Sequence, residues 1–152
     1  MSHIEHTVEV NVPVRTAYDQ WTQFEEFPSF MTGVERVVQL DDRHLDWTAE
    51  ILGQRRTWQA EITRQEPDRC VSWTSTSGPR NDGTVTFRPI DPDRTEVKLE
   101  LDVDPEGPID KLGDAMGVLD RQVHDDLDRF REFIEGRGRE TGAWRGTIGA
   151  GR

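Results

Sequence analysis

The chain has 152 residues, a formal net charge of −11 and one cysteine, Cys70. Such an acidic balance repels phosphates and so argues against a nucleic-acid or anionic-membrane surface. A single cysteine excludes an internal disulfide and any cysteine-based zinc cluster, and no window approaches the length of a membrane span.

The start, MSHIEHTVEV, lacks an apolar segment behind basic residues, so no secretory signal is read and a cytoplasmic location is expected. His3–Val12 alternates, with Ile4, His6, Val8, Val10 and Val12 on one side, which predicts a half-buried strand. Pro13 suits a helix start, and Val14, Ala17, Tyr18 and Trp21 follow at helical spacing. Then comes FEEFPSFM, residues 24–31, three phenylalanines and a methionine around Pro28. Trp21, Phe24, Phe27 and Phe30 step by three, so they share one side of a short helical element broken near the proline. The expectation is a lid over an apolar space, with Phe27, Phe30 and Met31 at its mouth.

From Val34 the period becomes two. Strands are predicted at Val34–Leu40, His44–Leu52, Gln54–Gln65, Arg69–Ser77, Gly83–Pro89 and Thr95–Val103, with turns at Asp41-Asp42, Glu66-Pro67-Asp68 and Asp91-Pro92-Asp93. Gly78–Asp82 reads as a loop. A tight turn at Leu52-Gly53 would set Trp47 opposite Trp58, with Trp73 and Phe87 on the same inward face. The period then changes to 3.6. Ile109, Leu112, Met116, Leu119, Val123, Leu127, Phe130 and Ile134 form one apolar stripe, with Pro108 at its start and Gly136 at its end. This helix would be about 40 Å long at the standard rise. The Gly- and Arg-rich remainder, residues 137–152, has little apolar surface and is expected to be a flexible tail beside a domain spanning residues 1–136. A binding segment around Trp144 is the other reading of that tail.

The chain is thus expected to be α+β: a curved seven-stranded antiparallel sheet around a long C-terminal helix, with two short helices after the first strand. This order resembles the START/Bet v 1-like superfamily, in particular its polyketide cyclase/dehydrase and coenzyme-Q-binding branch. The matching residues are Val12-Pro13, Ala17, Trp21, Phe24, Phe27-Pro28, Phe30-Met31 and the closing helix with Gly113 and Gly117. The resemblance covers residues 3–135. It implies a helix-grip fold with an apolar cavity between sheet and helix.

Cavity-lining residues are then expected at Trp21, Phe24, Phe27, Phe30, Met31, Trp47, Trp58, Trp73, Phe87, Met116 and Leu119. The aromatic set equally serves as plain core. Gly113 and Gly117 either open space for a ligand or permit close packing or a bend. Catalytic constellations are sparse. No nucleophile elbow, phosphate loop, dinucleotide fingerprint or metal-spaced histidine pair is present, and no cofactor is expected. His44 alternates outward and His124 sits beside Asp125 and Asp126. Inward polar candidates are His6, Arg56 and Ser75; Arg56 either anchors a carboxylate or carbonyl at the cavity mouth or pairs with a surface acid. Two functions follow: carriage of a small hydrophobic molecule such as a lipid, quinone or polyketide-like aromatic, or an aromatase-type polyketide cyclase/dehydrase reaction. The absence of a confident acid–base pair favours the carrier. A protein-interaction module built on the tail is a third reading.

Overall fold

Alternation at period two dominates residues 2–104, and it becomes a meander. The strands are β1 (Ser2–Val10), β2 (Val34–Gln39), β3 (His44–Ile51), β4 (Gln54–Glu66), β5 (Cys70–Ser75), β6 (Arg80–Asp91) and β7 (Arg94–Asp104). The computed structural model describes residues 2–51, 54–78, 80–104 and 112–149, and gives side chains for all of these except 2, 51, 104 and 112–116. The expected turn at Leu52-Gly53, the helix start at Pro108 and Ile109, and the side-chain roles of Leu112, Gly113 and Met116 lie outside these residues. All pairings are antiparallel, in the order β1-β7-β6-β5-β4-β3-β2. The sheet curls, and the long helix α2 (Leu112–Arg137) packs against its β1 edge.

The expected register between β3 and β4 is present: Trp47 faces Trp58, and their rings stack 5.9 Å apart with planes 2° from parallel. β6 begins earlier than the sequence suggests. Asn81, Asp82 and Gly83 are turn-forming residues by propensity, yet they pair with Val103, Asp102 and Leu101 of β7. Tertiary contacts override the propensity. The Asp82 carboxylate accepts from Thr74 Oγ1 at 2.6 Å and from the Ser75 N–H at 3.1 Å. Gly83 lies under the Trp73 indole. A Cβ there would sit 2.5 Å from Trp73 Cζ2 and 2.7 Å from Leu101 Cδ2. Gly83→Ala is therefore expected to cost about 1–3 kcal/mol by overpacking, read as a lowered urea midpoint at unchanged slope.

Helix α1 (Val14–Trp21) follows Pro13, whose carbonyl accepts from Ala17 N at 3.1 Å. A 3₁₀ helix at Phe24–Ser29 comes next and contains Pro28. That geometry resolves the odd placement of FEEFPSFM. A tight, short helix puts Phe24, Phe27 and Phe30 on the inner side while Glu25 stays exposed. On α2, Leu127, Phe130 and Ile134 are fully buried, whereas Leu119, Val123 and Phe133 are half-buried. The helix is tied at both edges of the sheet: Asn11 N donates to Glu135 Oε2 at 2.7 Å, and Thr32 N donates to Asp126 Oδ1 at 3.1 Å.

The C-terminal end corrects two expectations. Gly136 does not end the helix. α2 continues to Arg137, and Gly138, at φ +75°, donates its N–H to the Ile134 carbonyl at 2.9 Å. The following residues are not a free tail over 138–149. They lie across α1 as a strap without regular structure, and Ile148 enters the core cluster at 4% exposure. Low apolar content suggested disorder, but the segment docks mainly through polar contacts, which a hydrophobicity argument does not count.

Candidate functional site

The concave side of the sheet changes character along its length. At one end Ile62, Val71, Val85, Phe87 and Val97 are fully buried. α1 covers them: Tyr18 and Trp21 meet Phe87 edge-on at 5.5 Å and 6.3 Å. Trp21 also packs on Phe130 of α2 at 5.2 Å. At the other end the same inward parity carries large side chains that are only half-buried: Trp47, Trp73 and Leu101. Across from the sheet, Met31, Leu119 and Val123 are half-buried too.

The aromatic residues expected to line a cavity therefore divide. Trp21, Phe24, Phe27, Phe30, Trp58 and Phe87 are at most 5% exposed. Most of them touch one another ring to ring, as Trp21–Phe27 at 5.3 Å, Phe24–Phe27 at 5.5 Å and Phe27–Phe30 at 5.4 Å. Phe27 and Phe30 thus lie beneath the surface, and of the three residues expected at a mouth only Met31 is half-open. Gly117 is exposed, with no heavy atom of the described residues within 4 Å of a Cβ position.

The three polar candidates do not come together. Ser75 Oγ accepts from the Asn81 N–H at 3.1 Å and so braces the β5–β6 connection. Arg56, half-buried opposite Ala49, donates to Gln54 Oε1. His6 is the one with a partner that sequence reading missed. Its Nε2 lies 3.0 Å from Asp120 Oδ1 of α2, and its ring meets His124 edge-on at 5.3 Å. Asp120 and His124 are one helical turn apart, so both reach the same point of β1. The i, i+4 spacing was visible; the facing strand was not.

The convex side is different in kind. A shallow open groove of about 330 Å³ lies there, with His3, Ser72, Asp82, Thr84 and Asp102 among its lining residues. Beside it His3, Glu5 and Glu100 place metal-type ligand atoms within 4.8 Å of one another. The Lys98 ammonium already pairs with Glu5 at 3.0 Å and Glu100 at 3.8 Å. This is a cross-strand ion-pair network, and its polarity does not suit an apolar ligand. Among the described residues no helix is long and apolar enough to cross a membrane.

Residues 10–132 match the family model described as polyketide cyclase / dehydrase and lipid transport. A Streptomyces lincolnensis protein, an uncharacterized 17.2 kDa protein, is 48% identical over 149 residues, covering 97% of this chain and 99% of its own. Among solved structures, a START superfamily protein from Mycobacterium smegmatis superposes with TM-score 0.71 at 18% identity, covering 89% of this chain and 95% of that one. The Zhui aromatase/cyclase from Streptomyces sp. R1128 superposes with TM-score 0.74 at 18% identity, covering 94% and 99%. At such identities these two structures speak for the fold alone.

Proposed function

This chain belongs to the polyketide cyclase/dehydrase and lipid-transport family, and from that premise we propose that it binds and carries a small, largely apolar molecule. The site is the half-open end of the concave face, between Trp47, Trp73 and Leu101 of the sheet and Leu119 and Val123 of α2. One observation carries the reading. Along a single inward face, side chains of the same apolar kind pass from fully buried to half-buried, and large apolar surface is left partly uncovered where the helix and sheet face each other. Trp73 lies flat over Gly83 with its Nε1 donating to Asn81 Oδ1 at 3.3 Å, so the ring is held as a fixed wall. Lipids, quinones and polyketide-like aromatics share the required chemistry. The acidic surface and lone free cysteine suit a cytoplasmic carrier.

The test uses tryptophan quenching in titrations with palmitate, a short-chain ubiquinone and a hydroxyanthraquinone. Saturable one-to-one binding of at least one is expected, weakened about tenfold or more in Trp73→Phe or Leu101→Ala, where a wall contact is cut back. No saturable binding by any of the three sinks the reading. A second reading, a cyclase/dehydrase in the same place, rests on His6 and Asp120. Their contact at the seam of β1 and α2 is a pair suited to proton transfer on the inward side. It predicts that His6→Ala keeps ligand affinity while abolishing turnover of a poly-β-keto substrate.

A further inference from the structure

The strap is held by a set of buried polar side chains. Asp19, Gln20 and Thr22 of the α1 region and Gln65 of β4 are polar, yet each is at most 2% exposed. Gln20 reads a backbone and a hydroxyl at once: Thr141 N donates to its Oε1 at 2.8 Å, and its Nε2 donates to Thr141 Oγ1 at 3.0 Å. Thr22 Oγ1 accepts from Trp144 N at 3.1 Å. The Arg145 guanidinium donates from Nη1 to Asp19 Oδ1 and from Nη2 to Asp68 Oδ2, the latter at 2.8 Å, and lies 5.7 Å from the Tyr18 ring centre. Three residues on, Ile148 and Gln65 exchange both backbone hydrogen bonds, at 2.8 Å and 2.9 Å.

This is the pattern of peptide recognition. One fork-shaped cation enters a pair of carboxylates over an aromatic face, two side chains fix the backbone, and a strand edge takes the end. The receptor also has unused capacity: Tyr18 Oη, Asp19 Oδ2, Gln65 Nε2 and Asp68 Oδ1 are buried without a hydrogen-bond partner. The occupant is lightly built. It has no regular structure beyond one bridge, and its approach contains Gly136 and Gly138, with no heavy atom within 4 Å of either Cβ position. A segment of this kind can open locally while the sheet and α2 stay folded.

We propose that the surface formed by α1, the end of β4 and the β4–β5 turn is a receptor for an extended, arginine-anchored peptide. Its determinants are a threonine four residues before the arginine, a tryptophan one before and an isoleucine three after. The chain's own residues 141–148 fill it, and the same segment of a second copy can take their place. The receptor is independent of what the concave face holds.

The test titrates a fluorescein-labelled peptide of residues 138–152 into the full-length protein and into full-length Arg145→Ala, read by fluorescence anisotropy. Saturable binding to Arg145→Ala is expected, about tenfold or more tighter than to the wild type, whose receptor is already occupied. A peptide carrying alanine in place of its arginine should bind about tenfold or more weakly. If circular dichroism shows Arg145→Ala unfolded, Gly149→Ala replaces it. Gly149 has φ +68° and its Cβ would lie 2.4 Å from the Thr63 carbonyl oxygen, so the strap loosens without exposing a buried charge. No binding to the loosened variant, or binding indifferent to the peptide's arginine, overturns the proposal.

Discussion

Trp21→Ala lowers the unfolding free energy by about 3–5 kcal/mol, the usual cost of deleting a buried aromatic, while Trp21→Phe lowers it by far less. Trp21 is 1% exposed and joins three layers. Its ring meets Phe27 of the 3₁₀ helix at 5.3 Å, Phe87 of the sheet at 6.3 Å and Phe130 of α2 at 5.2 Å. Among the ring-to-ring contacts of the described residues, no other side chain ties α1, the sheet and the long helix together. Alanine leaves a cavity bounded by three elements that cannot all move inward, so little relaxes. Phenylalanine keeps most edge-to-face contacts, and it also removes the indole N–H, which is buried without a partner. An unpaired buried donor carries a desolvation penalty of about 1–3 kcal/mol, which offsets part of the lost volume. Urea unfolding followed by far-UV circular dichroism checks both variants against a total stability of about 5–15 kcal/mol for such a domain. A loss below about 1.5 kcal/mol for alanine, on the scale of ordinary core trimming, or equal losses for both variants, refutes the assignment.

Much of the fold is legible because it rests on periodicity. Val97, Leu99, Leu101 and Val103 alternate without interruption and form β7. Leu127, Phe130 and Ile134 keep helical spacing and face the core. Trp47 and Trp58 pair on the sequence pattern alone, because a tight hairpin leaves one register in which both point inward. Legibility fails where side chains overrule propensity. Asn81 and Asp82 read as the end of a loop, and only the Thr74 hydroxyl and the Ser75 N–H explain why they already belong to a strand. Those partners lie on the neighbouring strand, out of reach of a local reading.

The site was less legible for the same reason. Parity puts Trp73 and Phe87 on one face, but it does not say that Phe87 is sealed by Tyr18 and Trp21 while Trp73 stays half-open. His6 was identifiable as an inward polar residue; Asp120, its partner, lies 114 positions away on another element. The strap shows the limit most plainly. In α1, Asp19 and Gln20 look like the wet face of an amphipathic helix. They are buried because residues 141–145 cover them.

Arg145→Ala is expected to cost about 3 kcal/mol near neutral pH, at the lower end of the range for breaking a buried ion pair because the arginine keeps some exposure. The loss arises from what is left behind. Asp19 is 1% exposed, and its Oδ2 accepts no hydrogen bond even with Arg145 in place. Arg15 Nε is 3.7 Å from that oxygen but is mostly exposed, so it replaces little. Asp68, by contrast, is half-exposed and recovers hydration when Arg145 is removed. Burial already raises the Asp19 carboxyl above the ordinary range, the Arg145 hydrogen bond and charge oppose this, and Glu140 adds to the rise. Without Arg145 the carboxyl rises further. An acid whose folded value exceeds its unfolded one binds more protons when folded, so the stability of the variant falls as pH rises through the raised value. It recovers as pH drops toward the ordinary carboxylate range, where Asp19 is neutral in both states. The gap to wild type should therefore be widest at neutral pH and close on acidification. Asp19→Leu/Arg145→Met, which removes both charges together, should regain most of the loss and show little of that pH dependence. A gap of the same size at neutral and acidic pH would mean that Arg145 holds the strap by packing alone, with the Asp19 charge contributing nothing.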